Sequence, residues 1–260
     1  MGRGREPDSA LRRIGLARAL SKRGVCSRSA ATRLILAGKV LLDGRRVRDP
    51  EHPTIATSHI ALEGQESVAG ERLYVMLNKP RGLITTAADE HHRRTVYDCF
   101  HDSGLPWLGP VGRLDKASEG LLLFSNDPEW SARLLDPLHH VPRTYHVQVS
   151  GPVSESLPGM LMSGVRMREG EMLSVREARV LRRGTRNIWL HCVLDEGRNR
   201  HLRRMFETLG LPVLRLVRVA IGDVMLGELP KGAWRTLTAE ECARLDADAV
   251  PSSGSTPGLA

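Results

Sequence analysis

Apolar and polar positions change rhythm twice along this chain. Near the start, Ile14, Leu16, Ala17 and Leu20 recur at helical spacing and predict a short helix that Gly24 stops. Ser27 supplies the side-chain oxygen an N-cap needs, and Ala30, Ala31, Leu34 and Ile35 line one face of a second helix ended by Gly38. "KVLLDGRRVRD" follows, two strand-like pieces around Asp43-Gly44, a strong hairpin signal. Residues from about 50 to 70 are polar and contain Pro, Gly and Ser, which predicts a last strand and a linker. From Leu73 the texture is strand-like: "YVMLNKPRGLITT", "LLLFS", "RTYHVQVSG", "NIWLHCVLDEG" and "VLRLVRVAIGDVMLG", with "NRHLRRMFETLG" as a helix closed by Gly210. Strands mix with single helices and no βα unit repeats. The expected class is α+β: a small helix-helix-hairpin domain over 12–70, then a larger domain over 71–246 with a mixed, mainly antiparallel sheet. The Pro, Ser and Gly content of 247–260 predicts a disordered tail.

Composition narrows the class. The 260 residues are 41% hydrophobic but only 4% aromatic, so the core must be built mainly from Leu, Val, Ile and Ala. No apolar run approaches the ~20 residues that span a bilayer, and the basic start "MGRGREPDSALRR" leads into no signal-peptide stretch. The expectation is a cytoplasmic protein with no membrane association. The four cysteines, Cys26, Cys99, Cys192 and Cys242, form no CxxC pair, which argues against a zinc knuckle or a disulfide scaffold. The pairs His91-His92 and His139-His140 lack the spacing of metal ligands. No metal site is expected, and no dinucleotide or P-loop signature is present.

The net charge of +8 is concentrated. Residues 1–50 hold thirteen Lys/Arg against four Asp/Glu, while the other 210 residues are nearly neutral. A basic block that also carries folding signals points to a polyanion, most simply nucleic acid. Lys22, Arg23, Arg28, Arg33, Lys39, Arg45 and Arg46 are its candidate contacts. The stretch "GVCSRSAATRLILAGKVLLDGRRV" resembles the alpha-L (S-four type) RNA-binding module, especially at Gly24, Ser27, Arg28, Gly38, Val40 and Gly44. That resemblance implies docking on structured RNA through shape and phosphate contacts.

Candidate chemistry centres on "GRLDKASEGLLLFSND", Gly112 to Asp127. Asp115 lies between glycines, on a short loop before a strand apolar enough to be buried on both faces. Locally, a turn or helix cap with Ser118 or Glu119 and a catalytic carboxylate are equally good readings. Together with "LNKPRG", "RTYHV", "EGRNRHLRRMF" and "LGELPKGAWRTLTAEE", in that order, the stretch resembles the RsuA/RluB/RluE/RluF family of ribosomal-RNA pseudouridine synthases over nearly the whole chain. The resemblance implies isomerisation of uridine in ribosomal RNA, with Asp115 as the carboxylate that attacks the sugar or removes its 2′ proton. It implies Arg203 as the cation beside Asp115 and Tyr145 as the base-stacking tyrosine; Arg204 is the competing candidate for the cation, or else faces out or meets a phosphate. Arg113, next to the loop, is a candidate to fill the space of the flipped base or bind a phosphate, or else to form an ion pair. A redox-neutral rearrangement needs no cofactor. Ser118, Arg143 and His201 stand where the family often has threonine, lysine and glutamine. The Ser-Glu pair in "KASEGLLL" slightly favours large-subunit RNA over small-subunit RNA. The expected partner is structured ribosomal RNA, free or in an assembling subunit, met by a monomer. A catalytically silent ribosome-assembly factor and a DNA-binding regulator are the competing readings.

Overall fold

The computed structural model describes residues 13–55, 57–64, 71–87, 91, 93–151 and 153–249. They form two compact units. One comprises the chain up to Tyr74 with Ser103–Gly109 and Ser125–Glu129; the other comprises Val75–Asp102, Pro110–Phe124 and the chain from Trp130 onward.

In the first unit, β1 (Ile14–Gly15) leads into α1 (Leu16–Lys22), α2 (Arg28–Leu36), β2 (Val40–Leu42), β3 (Arg45–Val47), β4 (Pro53–Thr54) and β5 (Ile60–Leu62). Gly24 turns the chain at φ 71°, and the Ser27 hydroxyl accepts the Ala30 N–H at 3.1 Å, capping α2. Asp43 and Gly44, at φ 49° and 77°, make the β2–β3 turn. Leu16, Leu20, Ala31, Ile35 and Val40 are fully or almost fully buried in the core. Ile14, read from its spacing as the start of the first helix, instead pairs with Thr54 in the β1–β4 bridge. A 3.6-residue period cannot distinguish a helix's first residue from a strand residue one turn ahead of it.

The rest of the chain is built on a nine-stranded sheet. Its strands are β6 (Tyr74–Lys79), β7 (Gly109–Val111), β8 (Glu119–Ser125), β9 (Arg143–Ser150), β12 (Glu177–Arg183), β13 (Asn187–Leu194), β14 (Val213–Ile221), β15 (Val224–Met225) and β16 (Trp234–Thr236). The order is β12-β13-β9-β14-β8-β6-β16, with β15 on β14 and β7 on β8. A two-stranded ribbon, β10 (Val165–Arg166) with β11 (Met172–Leu173), stands apart from it. The helices are α3 (Pro128–Leu135), α4 (Leu157–Ser163), α5 (His201–Thr208) and α6 (Ala239–Asp248). α6 carries regular structure two residues past 246; residues 250–260 of the expected tail, and 65–70 of the expected linker, lie outside the described residues.

One face of the sheet is apolar. Val147 and Val149 on β9, Leu190 and Cys192 on β13, Leu161 on α4 and Met205 and Phe206 on α5 are fully buried together. β8 is buried along its whole length, so "LLLFS" meets apolar neighbours on both sides. The few aromatics are grouped: Phe124 on β8 meets the Phe100 ring edge-on at 4.8 Å.

Two features fix the segment before β8. β14 runs parallel to β8, with Val217 opposite Glu119 and Arg218 opposite Gly120. Gly120 sits at φ 101°, and a Cβ there would fall 2.2 Å from the Arg218 carbonyl oxygen. Beneath the same segment lies Lys79, the last residue of β6, with no exposed surface. Its ammonium donates to the carbonyls of Ser118 at 2.9 Å, Asp115 at 3.2 Å and Pro80 at 3.2 Å. Burial lowers its pKa to about 8, with the charge of Asp115 pulling the other way.

Gly120→Ala should destabilise the protein by about 2 kcal/mol or more, because a left-handed backbone and a backbone clash act together; the urea midpoint measures it. Lys79 gives a pH signature. Between about 8 and the ordinary 10.5, the unfolded chain holds the lysine proton more tightly than the folded chain does. Stability contributed at this site therefore rises with pH across that window. In urea titrations, wild type should gain on Lys79→Met as pH climbs through about 8.

Candidate active site

Asp115 follows Gly112, Arg113 and Leu114 and opens a tight turn in which the Ser118 N–H donates to the Asp115 carbonyl at 2.9 Å. A strand follows, not a helix, so Asp115 caps no helix. Gly112, at φ 76°, permits the bend into the loop. Thr85 braces the loop from the side, its hydroxyl donating to the Leu114 carbonyl at 2.8 Å. The Asp115 carboxylate, 37% exposed, looks into an open cleft of about 520 Å³.

Two guanidiniums approach that carboxylate. Arg203 Nε lies 4.0 Å from Oδ2 and Arg200 Nη1 lies 3.8 Å from it. Arg203, on the first turn of α5, is largely buried and donates from Nη2 to the Ala117 carbonyl at 3.0 Å and the Ser118 hydroxyl at 3.3 Å. It thus grips the turn as well as facing its carboxylate. Burial lowers its pKa, Arg200 adds to this, and Asp115 opposes it. Arg200 takes the left-handed position before α5, at φ 50°. The other two arginines of "GRNRHLRR" turn away from Asp115: Arg198 pairs with Glu196 and Glu171, and Arg204 with Glu171 and Glu169. Arg204 is thus engaged by Glu171 and Glu169 and not by Asp115. The His201 ring is buried, and burial lowers its pKa.

Tyr145, on β9, shares the apolar face with Val147 and Val149 and lines the cleft, as Arg113 does. Glu119, the other capping candidate, is buried. Its burial favours the neutral form, but hydrogen bonds from Arg215, at 3.0 Å to each carboxylate oxygen, and from Lys231 hold its pKa below the usual value.

The cleft also contains residues that sequence reasoning did not single out as site residues. Arg218 is 5% exposed and donates from Nε to the Leu121 carbonyl at 2.7 Å, while its Nη2 is buried with no hydrogen-bond partner among the described residues. Arg143 donates to the Val141 and Leu134 carbonyls at 2.8 Å; burial and then the nearby Arg218 lower its pKa. Arg200 was visible only as one of four arginines, with no spacing that selects it. Arg218 and Arg143 read as strand residues, and nothing local marks them as facing a cleft. No group of three or more His, Cys, Asp or Glu among the described residues is placed to hold a metal ion.

Of the candidate cationic positions of the first unit, Arg33, Lys39 and Arg45 are exposed and make no ion pair among the described residues, while the exposed Lys22 pairs with Glu129 at 3.1 Å. Arg28 pairs with Glu51 at 3.6 Å and Arg46 with Glu63 at 2.6 Å, while Arg23 donates to the Ser58 carbonyl at 2.6 Å and is half-buried. No described helix is long and apolar enough to cross a membrane.

Residues 73–208 match the RNA pseudouridylate synthase family model, and residues 14–53 match the S4 domain model. An uncharacterized RNA pseudouridine synthase of Mycobacterium tuberculosis is 36% identical over 247 residues, covering 93% of this chain and 94% of the relative. The ribosomal large subunit pseudouridine synthase B of Bacillus subtilis is 34% identical over 234 residues, covering 89% and 95%. A crystal structure of a pseudouridylate synthase superposes with a TM-score of 0.62 at 32% identity, covering 89% of this chain and 99% of that one. With its fold, its S4 domain and a family match over more than half its length, the chain belongs to the RNA pseudouridylate synthase family.

Proposed function

We propose that this chain converts uridine in ribosomal RNA to pseudouridine, with large-subunit RNA the favoured target. The observation that carries the reading is one carboxylate, Asp115, held on a braced loop in a cleft beside Tyr145 and two guanidiniums. The Bacillus relative's description supports the large-subunit target, as does the Ser118-Glu119 pair.

The steps follow from the groups present. The target uridine leaves its stack to reach the cleft, where the face of Tyr145 receives the base. Asp115 either attacks the sugar carbon or takes the 2′ proton as the glycosidic carbon–nitrogen bond breaks. The base rotates, carbon five bonds to the sugar carbon as the Asp115–sugar bond breaks or the 2′ proton returns, and the carbon-five proton departs, with the Tyr145 hydroxyl at hand, while N1 takes one up. Arg203 fixes the turn and stabilises the Asp115 carboxylate by its charge; Arg200 adds a second charge. Arg113, at the cleft wall, meets a phosphate or fills the gap left by the flipped base. The domain assignment is part of the proposal: 12–70 binds RNA through Lys22, Arg23, Arg28, Arg33, Lys39, Arg45 and Arg46, and 71–246 catalyses. The enzyme acts as a cytoplasmic monomer on structured RNA, within an assembling subunit or free.

Mapping pseudouridines across total ribosomal RNA, with and without the gene, tests the activity and identifies the subunit. No missing site in either RNA would sink the reading in favour of a silent assembly factor. Asp115→Asn should reduce pseudouridine formation roughly a thousandfold or more while RNA affinity stays near wild type. An active Asp115→Asn enzyme would remove Asp115 from the chemistry. For the N-terminal module, Arg33→Ala/Lys39→Ala/Arg45→Ala should weaken RNA binding and flatten its salt dependence by about 0.7–0.9 per lost phosphate contact. The single-turnover rate at saturating RNA should stay unchanged.

A further inference from the structure

The sheet face turned away from the cleft carries a second cluster that the reaction does not use. Side chains alternate along β9: Tyr145, Val147 and Val149 face the core, so His146 and Gln148 face the other way. The ladder sets Arg182, Trp189, Gln148 and Arg215 side by side across β12, β13, β9 and β14. The Trp189 ring lies between two guanidiniums, Arg182 at 5.4 Å and Arg215 at 5.5 Å from its centroid. The His146 and His191 rings sit together at 5.8 Å, and burial lowers both pKa values, keeping both neutral at neutral pH. Leu181, at the β12 bulge, closes a concavity of about 340 Å³ formed with His146, Arg182, Trp189 and Arg215.

The surrounding charge is mainly positive, with Glu177 3.7 Å from the His191 ring as an acidic neighbour. From Ala178 to Leu194 the sequence contains Arg179, Arg182, Arg183 and Arg186 and no acidic residue. Arg179 is met by Glu177 at 3.6 Å and Arg215 by Glu119, whereas no ion pair engages Arg182, Arg183 or Arg186 among the described residues. All three are exposed, but Arg183, opposite Ile188, belongs to the other face of the sheet, which leaves Arg182 on the Trp189 face and Arg186 in the β12–β13 turn. β12 is an edge strand, and charge there keeps edges from pairing. Edge protection explains arginines on β12. It does not explain an outward-facing indole on the next strand, flanked by guanidiniums from both sides and next to two neutral imidazoles. Unpaired guanidiniums beside aromatic rings are the combination that binds a single nucleic-acid strand, with phosphates on the cations and bases on the ring faces.

We propose that this face is a second RNA-binding surface, taking a single-stranded stretch of the substrate outside the target nucleotide. Phosphates contact Arg182 and Arg186, and a base enters the Trp189 concavity, stacking against the indole or on the plane of Arg182. The proposal rests on the chain's acting on RNA but not on the role of Asp115.

The test uses the full chain and a fluorescein-labelled oligouridine, with binding read by anisotropy across a salt series and contacts mapped by ultraviolet crosslinking. Arg182→Ala/Arg186→Ala should weaken binding several-fold and lower the salt slope by about 1.4, at ~0.7 per single-strand phosphate contact. Trp189→Ala changes no charge and should still weaken binding several-fold, roughly the loss of one stacked base. Trp189→Phe, which keeps a ring, should restore most of it. Thermal melting of each variant checks the fold. Crosslinked uridine should map to 182–191 in wild type and equally in Asp115→Asn. Wild-type affinity in both the double variant and Trp189→Ala, or crosslinks confined to the cleft and the N-terminal module, would overturn the proposal. An active Asp115→Asn enzyme would overturn the catalytic role of Asp115 while leaving these crosslinks unchanged.

Discussion

One buried ammonium holds the loop that the cleft is built on. The turn from Asp115 to Ser118 precedes β8, and its carbonyls face the interior. Lys79 collects two of them, Asp115 and Ser118, together with its neighbour Pro80. A buried carbonyl without a donor costs free energy comparable to a lost hydrogen bond. The lysine removes that cost, and the low pKa records the desolvation that opposes it. Because the acceptors are neutral backbone groups, the positive charge is left to act on its surroundings, and the charge of Asp115 favours the protonated lysine.

Three arginines of the cleft follow the same rule, held by carbonyls rather than by carboxylates. Arg203 grips Ala117, Arg218 grips Leu121, and Arg143 grips Leu134 and Val141. Guanidiniums fixed in this way keep their charge uncancelled, which suits a polyanionic substrate. Other acidic side chains have close partners: Glu119 is occupied by Arg215 and Lys231, Glu171 by Arg198 and Arg204, Glu196 by Arg198 and Asp195 by Arg176. Asp115 is thereby the carboxylate that meets the cleft's arginines without a close partner of its own.

Much of this was legible in the sequence, for identifiable reasons. The Asp43-Gly44 turn, the Ser27 cap and the buried "LLLFS" strand depend on local chemistry and short periods, and local chemistry is what a sequence displays. The pairing of distant motifs in one cleft came through family resemblance, not through spacing. What stayed hidden was long-range. Arg23 looked like a surface cation, yet it serves a carbonyl 35 residues away. Arg200 is distinguished from Arg198 only by a left-handed backbone at the start of α5. Arg218 reads as one more strand arginine until β14 is placed against β8. The Trp189 surface needed the register of four strands before its parts became neighbours.

The parallel pairing of β14 with β8 also bears on how the protein comes into being. The Arg218 side chain reaches Leu121 across 97 residues of chain, and Gly120 fits only against the backbone of Arg218. Contacts this distant carry a loop-closure cost that must be met before they return anything, which delays them in folding. During synthesis the segment around Asp115 emerges long before its partner strand does. A nascent chain therefore holds the carboxylate without its completed seat, and the assembled cleft belongs only to a chain whose β14 has left the ribosome.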